Sequence, residues 1–269
     1  MEVEMKKVFI FFITIIFLFS FTDFGYSQLT GRDIMVKVDE QQSVNSQYGK
    51  TKMTLINKRG KKRIRNVLRY EKSYNGEKGI DTKALIFFEY PPDIRGTGLL
   101  LWNYEDIKKD DDRWLYLPAL KKIRRIAGES KNDYFMGTDF TYDDMGGREV
   151  DEDTHELLGQ EEVNGINCYK VQSIPVDKND MYSKKIGWVI PEKWVVFKVD
   201  FYDKKGKLLK ELRASDFQKV SNIWTPFKLH MENFIKNHQT VIEVEDLNYN
   251  VEIGNQVFTT TTLQRGRVK

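Results

Sequence analysis

Three acidic clusters, one basic run, a single cysteine and three histidines hold the side chains in this sequence that could do chemistry. Asp110-Asp111-Asp112, Asp143-Asp144 and Asp151-Glu152-Asp153 offer hard oxygen ligands of the kind Ca²⁺ takes. None follows the spacing of an EF-hand loop, and solvated turns explain them as well. Cys168 lies in an alternating run, Cys168-Tyr169-Lys170-Val171, which suits a buried, inert thiol better than a nucleophile. One cysteine also excludes a disulfide framework within the chain. His155, His230 and His238 lack the spacing of metal ligands, so neither a metal nor a cofactor is expected. Gly96-Thr97-Gly98 lacks the third glycine and following helix of a phosphate loop, and there is no G-x-S-x-G elbow. Asp139, Asp143 and Asp144 would suit an enzyme only if one of them held a raised pKa inside a pocket. Lys121-Lys122-Ile123-Arg124-Arg125 is either a solvated face or a contact for an anionic partner such as lipid headgroups.

The elements that must position these groups are mostly strands. Thr30 can cap a helix over 31–44, with Ile34, Val38 and Met35 on one face. Beyond Tyr48 the period changes to two. Met53 and Leu55 alternate with polar neighbours, as do Ile64, Leu68 and Tyr70, and 84–90 is a nearly continuous apolar run ended by Pro91-Pro92. Strand patterns follow at 113–117, 168–175, 185–190, 194–202, 208–217, 225–235, 240–248 and 258–263. Roughly ten regularly spaced strands predict one large antiparallel sheet or barrel. Segment 128–150 breaks the pattern and reads as a long loop with a helical turn near 139–145. Its Phe135, Met136, Phe140, Tyr142 and Met145 want burial, which argues against disorder.

Composition narrows the function. Lys+Arg is 43 against Asp+Glu 40, a net charge of +3, too near balance to argue for nucleic acid. Apolar residues make up 40%, enough for a core. Lys6 and Lys7 precede an apolar run at 8–21, too short for the ~20 residues of a comfortable membrane span. With Gly25-Tyr26-Ser27 behind it, this predicts a secretory leader over 1–27, cleaved after Ser27, and a single exported domain over 28–269. No cysteine lies near the cleavage point to take a lipid anchor, and with no heptads a monomer is the default.

The stretch from Tyr90 to Met145 is more specific. Pro91, Arg95, Gly96, Gly98, Leu100 and Trp102 fit P-x-x-x-R-G-x-G-x-L-x-W. Trp114, Tyr116, Leu117, Pro118, Ala119 and Leu120 fit W-x-Y-L-P-A-L, followed by Arg124-Arg125-Ile126. Phe135, Met136, Gly137, Thr138, Asp139, Phe140, Tyr142, Asp144 and Met145 fit F-M-G-[ST]-D-F-x-Y-x-D-M. Three ordered motifs of this kind resemble the outer-membrane lipoprotein-sorting protein family, a branch of the LolA-like carriers. The resemblance covers nearly all of the exported chain.

It implies a mainly β fold: a curved antiparallel sheet forming a half-open β-barrel, with an N-terminal helix and a short helical or loop lid over an apolar cavity. It implies a periplasmic, non-enzymatic carrier of lipoprotein or lipid acyl chains, working beside the outer membrane or with an RND-type exporter. Such a carrier must hide many methylenes, at roughly 0.8 kcal/mol each. Trp102, Trp114, Leu117, Phe135, Met136, Phe140, Tyr142 and Met145 are the candidate cavity and lid residues. The aromatics serve equally as a permanent plug, and Trp188 and Trp194 share that ambiguity. Arg95 is a candidate latch to Asp139 or Asp144. The alternative is an envelope module that docks on an RND-type exporter and carries nothing; its sign is a filled barrel with an exposed apolar patch outside.

Overall fold

Thr30 caps the first helix: its hydroxyl accepts from the Asp33 amide, and the Asp33 carboxylate accepts from the Thr30 amide at 2.9 Å. This capping box starts helix α1 (Gly31–Gln42). The computed structural model describes residues 29–268, so the predicted leader lies outside the described residues. A Cβ on Gly31 would stand 2.7 Å from the Glu156 backbone, so glycine lets the helix start hard against a strand.

Thirteen strands follow among the described residues: β1 (Ser46–Ile56), β2 (Lys62–Ser73), β3 (Ile80–Tyr90), β4 (Gly98–Tyr104), β5 (Asp112–Leu117), β6 (Lys122–Ile126), β7 (Asp153–Val163), β8 (Ile166–Pro175), β9 (Tyr182–Ile190), β10 (Val195–Asp203), β11 (Leu208–Val220), β12 (Ile223–Asn233) and β13 (His238–Tyr249). They form one antiparallel sheet in the order β6-β5-β4-β3-β2-β1-β13-β12-β11-β10-β9-β8-β7. The sheet is curved and not closed, as expected of a half-open barrel. The β1–β13 pair joins its two halves, with Met53 opposite Ile242.

Ten of the strand patterns read from the sequence are strands. The eleventh, 258–263, is not: it folds as a 3₁₀ turn (Asn255–Phe258) and helix α2 (Thr260–Arg265). Thr259 caps α2 from its hydroxyl and Gly266 ends it in the left-handed region, local signals that outweigh the β-branched composition. Three strands escaped the periodicity. β4 is buried on both faces, so Gly98-Leu-Leu-Leu-Trp102 does not alternate. β6 and β7 are the two edges, where charged residues blunt the unpaired backbone and mask the pattern.

Two apolar layers sandwich β3–β5. One face carries Ile86, Phe88, Leu99, Leu101 and Leu115, covered by Phe135 and Tyr142. The other carries Leu85, Phe87, Leu100 and Tyr116, covered by Ile253, Val257, Phe258 and Leu263 of the C-terminal segment. Gly98 makes that second contact possible: a Cβ there would stand 2.6 Å from Phe87 and 2.7 Å from Leu263.

Candidate functional site

Paired positions in an antiparallel sheet share a face, so the register lays out the concave side row by row. From β7 to β12 one row runs Leu157, Val171, Gly187, Val199, Leu212 and Met231. The neighbouring row runs His155, Ser173, Lys185, Phe201, Lys210 and Asn233. The first row is an apolar floor. The second sets two lysines on either side of Phe201.

Helix α1 roofs one end of this floor. Its Ile34 and Val38 pack on Val171 and Val189, with Met35, Leu157 and Val196 at the margin. Between helix and sheet lies a pocket of about 260 Å³, walled by Met35, Val38, Val199 and Phe201. Beyond Phe201 a second pocket of about 200 Å³ is walled by Phe140, Tyr182, Leu212 and Met231. Both also touch Arg148 and Lys185, so Phe201 is the partition between two chambers of one groove.

Segment 128–150 roofs the rest. Phe135 and Tyr142 enter the β3–β5 layer, Phe135 with ring centroids 5.5 Å from Phe88 and 5.6 Å from Tyr142. Phe140 enters the other half, against Tyr182, Phe201, Leu209 and Met231. The segment folds back on itself through a Tyr134–Thr141 bridge, with Met136 and Gly137 in the left-handed region at its tip. In place of the expected helical turn there are 3₁₀ turns at Gly128–Asn132 and Phe135–Gly137 and a hydrogen-bonded turn from Asp143 O to Gly146 N.

Polar clasps hold this roof from strands far apart in the sheet. Lys210 of β11 donates to the Asp139 carbonyl at 2.9 Å and to the Asp144 carboxylate at 2.6 Å. The Tyr182 hydroxyl of β9 donates to Asp144 at 2.9 Å. Thr240 of β13 donates to Asp139, and His238 sits 2.7 Å from the same oxygen. From β2, Arg65 donates to the Met136 carbonyl and Arg69 to the Met145 carbonyl. Only the concave side lets one segment reach β2, β9, β11 and β13 together.

Burial pushes the Asp144 pKa up, but Lys210 and the bonds from Thr141 and Tyr182 outweigh it, so the carboxyl stays below its usual range. Burial likewise raises Asp143 against the pull of Arg113, 2.7 Å away. One end of the groove is closed by an ionic belt. Arg148 forms a fork on Asp153 at 2.7 and 2.8 Å and reaches Asp180 at 2.9 Å, while Lys185 meets Asp153 at 2.6 Å. These carboxylates are held by cations as structural pairs. Among the described residues no group of side chains has the makings of a metal site.

The sequence-predicted residues divide. Phe135, Met136, Phe140, Tyr142, Met145 and Leu117 come together on the concave side. Trp102 and Trp114 do not: they stack edge-on at 5.4 Å on the opposite face, under the C-terminal segment, because their strand parity opposes that of Leu101 and Leu115. The Arg95 latch is also corrected. Arg95 is exposed and donates to the Glu89 carbonyl at 2.9 Å, while Asp139 and Asp144 bond to His238, Thr240, Tyr182 and Lys210. Trp188 lies on the outer face with Ile186, and Trp194 stacks on Tyr169 at 6.0 Å beside α1. Sequence reasoning missed Lys210, Arg148 and Lys185. Lys210 had a signal: it shares a strand face with Leu212 and Ala214, and a lysine on an apolar face needs a buried partner.

An open half-barrel with a helix and a clasped segment roofing an apolar groove is the LolA-like fold. A solved DUF1329 family protein from Desulfovibrio piger is 35% identical, over 87% of this chain and 97% of that chain, with a TM-score of 0.83. A structure described as an outer membrane lipoprotein-sorting protein domain, from Vibrio parahaemolyticus, is 29% identical over 87% of this chain and 98% of that one, at TM-score 0.81. A LolA superfamily protein from Nitrosomonas europaea is 18% identical, over 87% and 100% of the two chains, at TM-score 0.70, and shares the fold. A family model described only as an uncharacterized protein matches residues 80–265. No curated protein matches. The chain belongs to the DUF1329 family.

Proposed function

We propose that the chain is a non-enzymatic periplasmic carrier that takes acyl chains of lipids or lipoproteins into the groove beneath α1 and segment 128–150. The observation that carries this is the two-chambered apolar groove divided by Phe201 and roofed by a separate, clasped segment. Its similarity to a lipoprotein-sorting domain supports the same ligand class. Each chamber is smaller than the ~300 Å³ at which ligand pockets begin. An acyl chain therefore enters by displacing Phe140 or Phe201, which joins the chambers. Residues 1–27 serve as the export leader and 28–269 as one working domain. No described helix is long and apolar enough to cross a membrane.

A second reading, an envelope module that docks on an RND-type exporter and carries nothing, is favoured by one observation: Phe135 is fully buried and fills the β3–β5 side. Native mass spectrometry of the chain purified from a bacterial periplasm without detergent separates the two. A lipid or acylated peptide released from the protein supports the carrier. A clean unliganded mass together with no uptake of a fluorescent fatty acyl probe supports the docking module.

A further inference from the structure

Six hairpin connections share one rim of the sheet, because every strand is antiparallel to its neighbours. Three of them, every other one along the rim, stand out. The β1–β2 hairpin exposes Lys58, Arg59, Lys61, Lys62 and Arg63, and no carboxylate occurs between Lys50 and Glu71. The ion pairs of β1 lie lower on the strand, Lys52 with Glu243 at 3.0 Å and Lys50 with Glu245 at 3.7 Å. The β5–β6 hairpin exposes Lys121, Lys122, Arg124 and Arg125, of which Arg125 is paired with Asp112. The β10–β11 turn adds Lys204, Lys205 and Lys207.

Large apolar side chains are exposed among these cations. Leu120 at the β5–β6 tip is 62% exposed, and Phe234 and Ile235 at the β12–β13 tip are 39% and 49% exposed. Ile64 and Tyr90, beside the same rim, are also exposed. Singly scattered apolar residues need no explanation, but a rim that alternates them with unpaired cations does. Exposed acidic groups on this rim are confined to the β3–β4 and β8–β9 connections, at Glu89, Asp93 and Asp177; on the opposite rim Glu77 with Lys78, and Glu105 and Asp106 with Lys108 and Lys109, mix both signs within single connections.

We propose that this basic, apolar-studded hairpin rim is a docking surface for an anionic phospholipid bilayer. Exposed lysines and arginines gain from the negative surface potential, and the apolar tips enter the interface between headgroups and chains. A protein partner of comparable size would need an acidic surface studded with matching apolar pockets, whereas a bilayer meets all the tips at once. Arg65, close to the same rim, holds the tip of the roofing segment at Met136, so the docking rim lies beside the roof. The proposal goes beyond the carrier reading and does not need cargo to be present.

The test is flotation of the periplasmically purified chain with phosphatidylcholine vesicles, with and without phosphatidylglycerol. Binding is expected only to the anionic vesicles, and it should fall as salt shortens the Debye length from about 10 Å at 0.1 M to about 3 Å at 1 M. The triple variant Lys58→Glu, Lys62→Glu, Arg63→Glu should lose about a hundredfold in partition, given the worth of each cation near such a surface. Leu120→Ser with Ile235→Ser should lose roughly tenfold with the salt dependence retained. Lys108→Glu with Lys109→Glu, on the opposite rim, should bind as the parent does. All variants carry the same N-terminus, so a residual leader would bind both vesicle types and ignore the hairpin changes. Unchanged melting temperatures confirm that the variants fold. Equal binding to neutral vesicles, no binding, indifference to the triple variant, or a rim-dependent dimer without vesicle association would each overturn the proposal. Failure of acyl-probe uptake with vesicle binding intact would count against the carrier reading alone.

Discussion

Lys210 shows how one residue ties sheet to roof. Its ammonium is fully buried, 2.6 Å from Asp144 and 2.9 Å from the Asp139 carbonyl, with the Phe201 and Tyr182 rings 5.0 and 5.1 Å away. Breaking such a pair from one side strands a buried charge. Lys210→Met should therefore cost about 3–5 kcal/mol in denaturant unfolding, and adding Asp144→Asn should return part of it. Glu149 acts with the opposite sign. Burial, Asp81 and Asp39 push its pKa from 4.5 to about 8, so the native state favours the protonated form. The stability this gives is present below pH 4.5 and is lost as pH rises through 8. Glu149→Gln should melt higher than the parent at pH 8.5 and about equal to it at pH 4, read by thermal scans.

At the scale of elements, segment 128–150 is a roof with two anchors: Phe135 and Tyr142 on one half-sheet, Phe140 on the other. If it opens for cargo, the anchors should differ in effect. Phe140→Ala should destabilise by about 3–5 kcal/mol. It should also merge the Phe201 chambers and strengthen uptake of a fluorescent acyl probe. Phe135→Ala should cost similar stability without strengthening uptake, because its side chain lies away from the groove. Equal uptake by both variants and the parent would remove the roof from the binding reaction. At the other face, Gly98→Val should expel Leu263 and loosen α2, seen as faster proteolysis after Arg265 with the strands intact.

For the whole molecule, the open sheet has two unpaired edges and blunts both with charge, basic on β6 and acidic on β7. The two halves are held mainly by the β1–β13 ladder and by the clasps to the roof. Asp144 and Asp153 keep pKa values below their usual range because Lys210, Lys185 and Arg148 outweigh the cost of burial. Their contribution is present above the ordinary carboxylate range and disappears as pH falls through the lowered values. Acid should therefore release the roof before it melts the sheet. As pH falls below the ordinary carboxylate range, circular dichroism should retain strand signal while near-ultraviolet bands from Phe140 and Tyr182 surroundings collapse; coincident loss of both would count against this order.

Period-two patterns made most strands legible, because one buried face leaves an alternating record in the chain. The capping box of α1 was legible for the same local reason, and so was the need of Phe135, Phe140 and Tyr142 for burial. Strands β4, β6 and β7 were not, since the apolar run of β4 is short and charged side chains mask the pattern at the two edges. By itself, then, the sequence determined a large antiparallel sheet, an N-terminal helix and an aromatic segment that had to be covered. Only the tertiary structure decided which side of the sheet each residue occupied. That choice put Trp102 and Trp114 outside and Phe201 within, sent Arg95 to Glu89, and brought Lys210 to Asp144 across 66 positions of chain. Register and curvature depend on pairing between strands distant in sequence, and no local spacing encodes them.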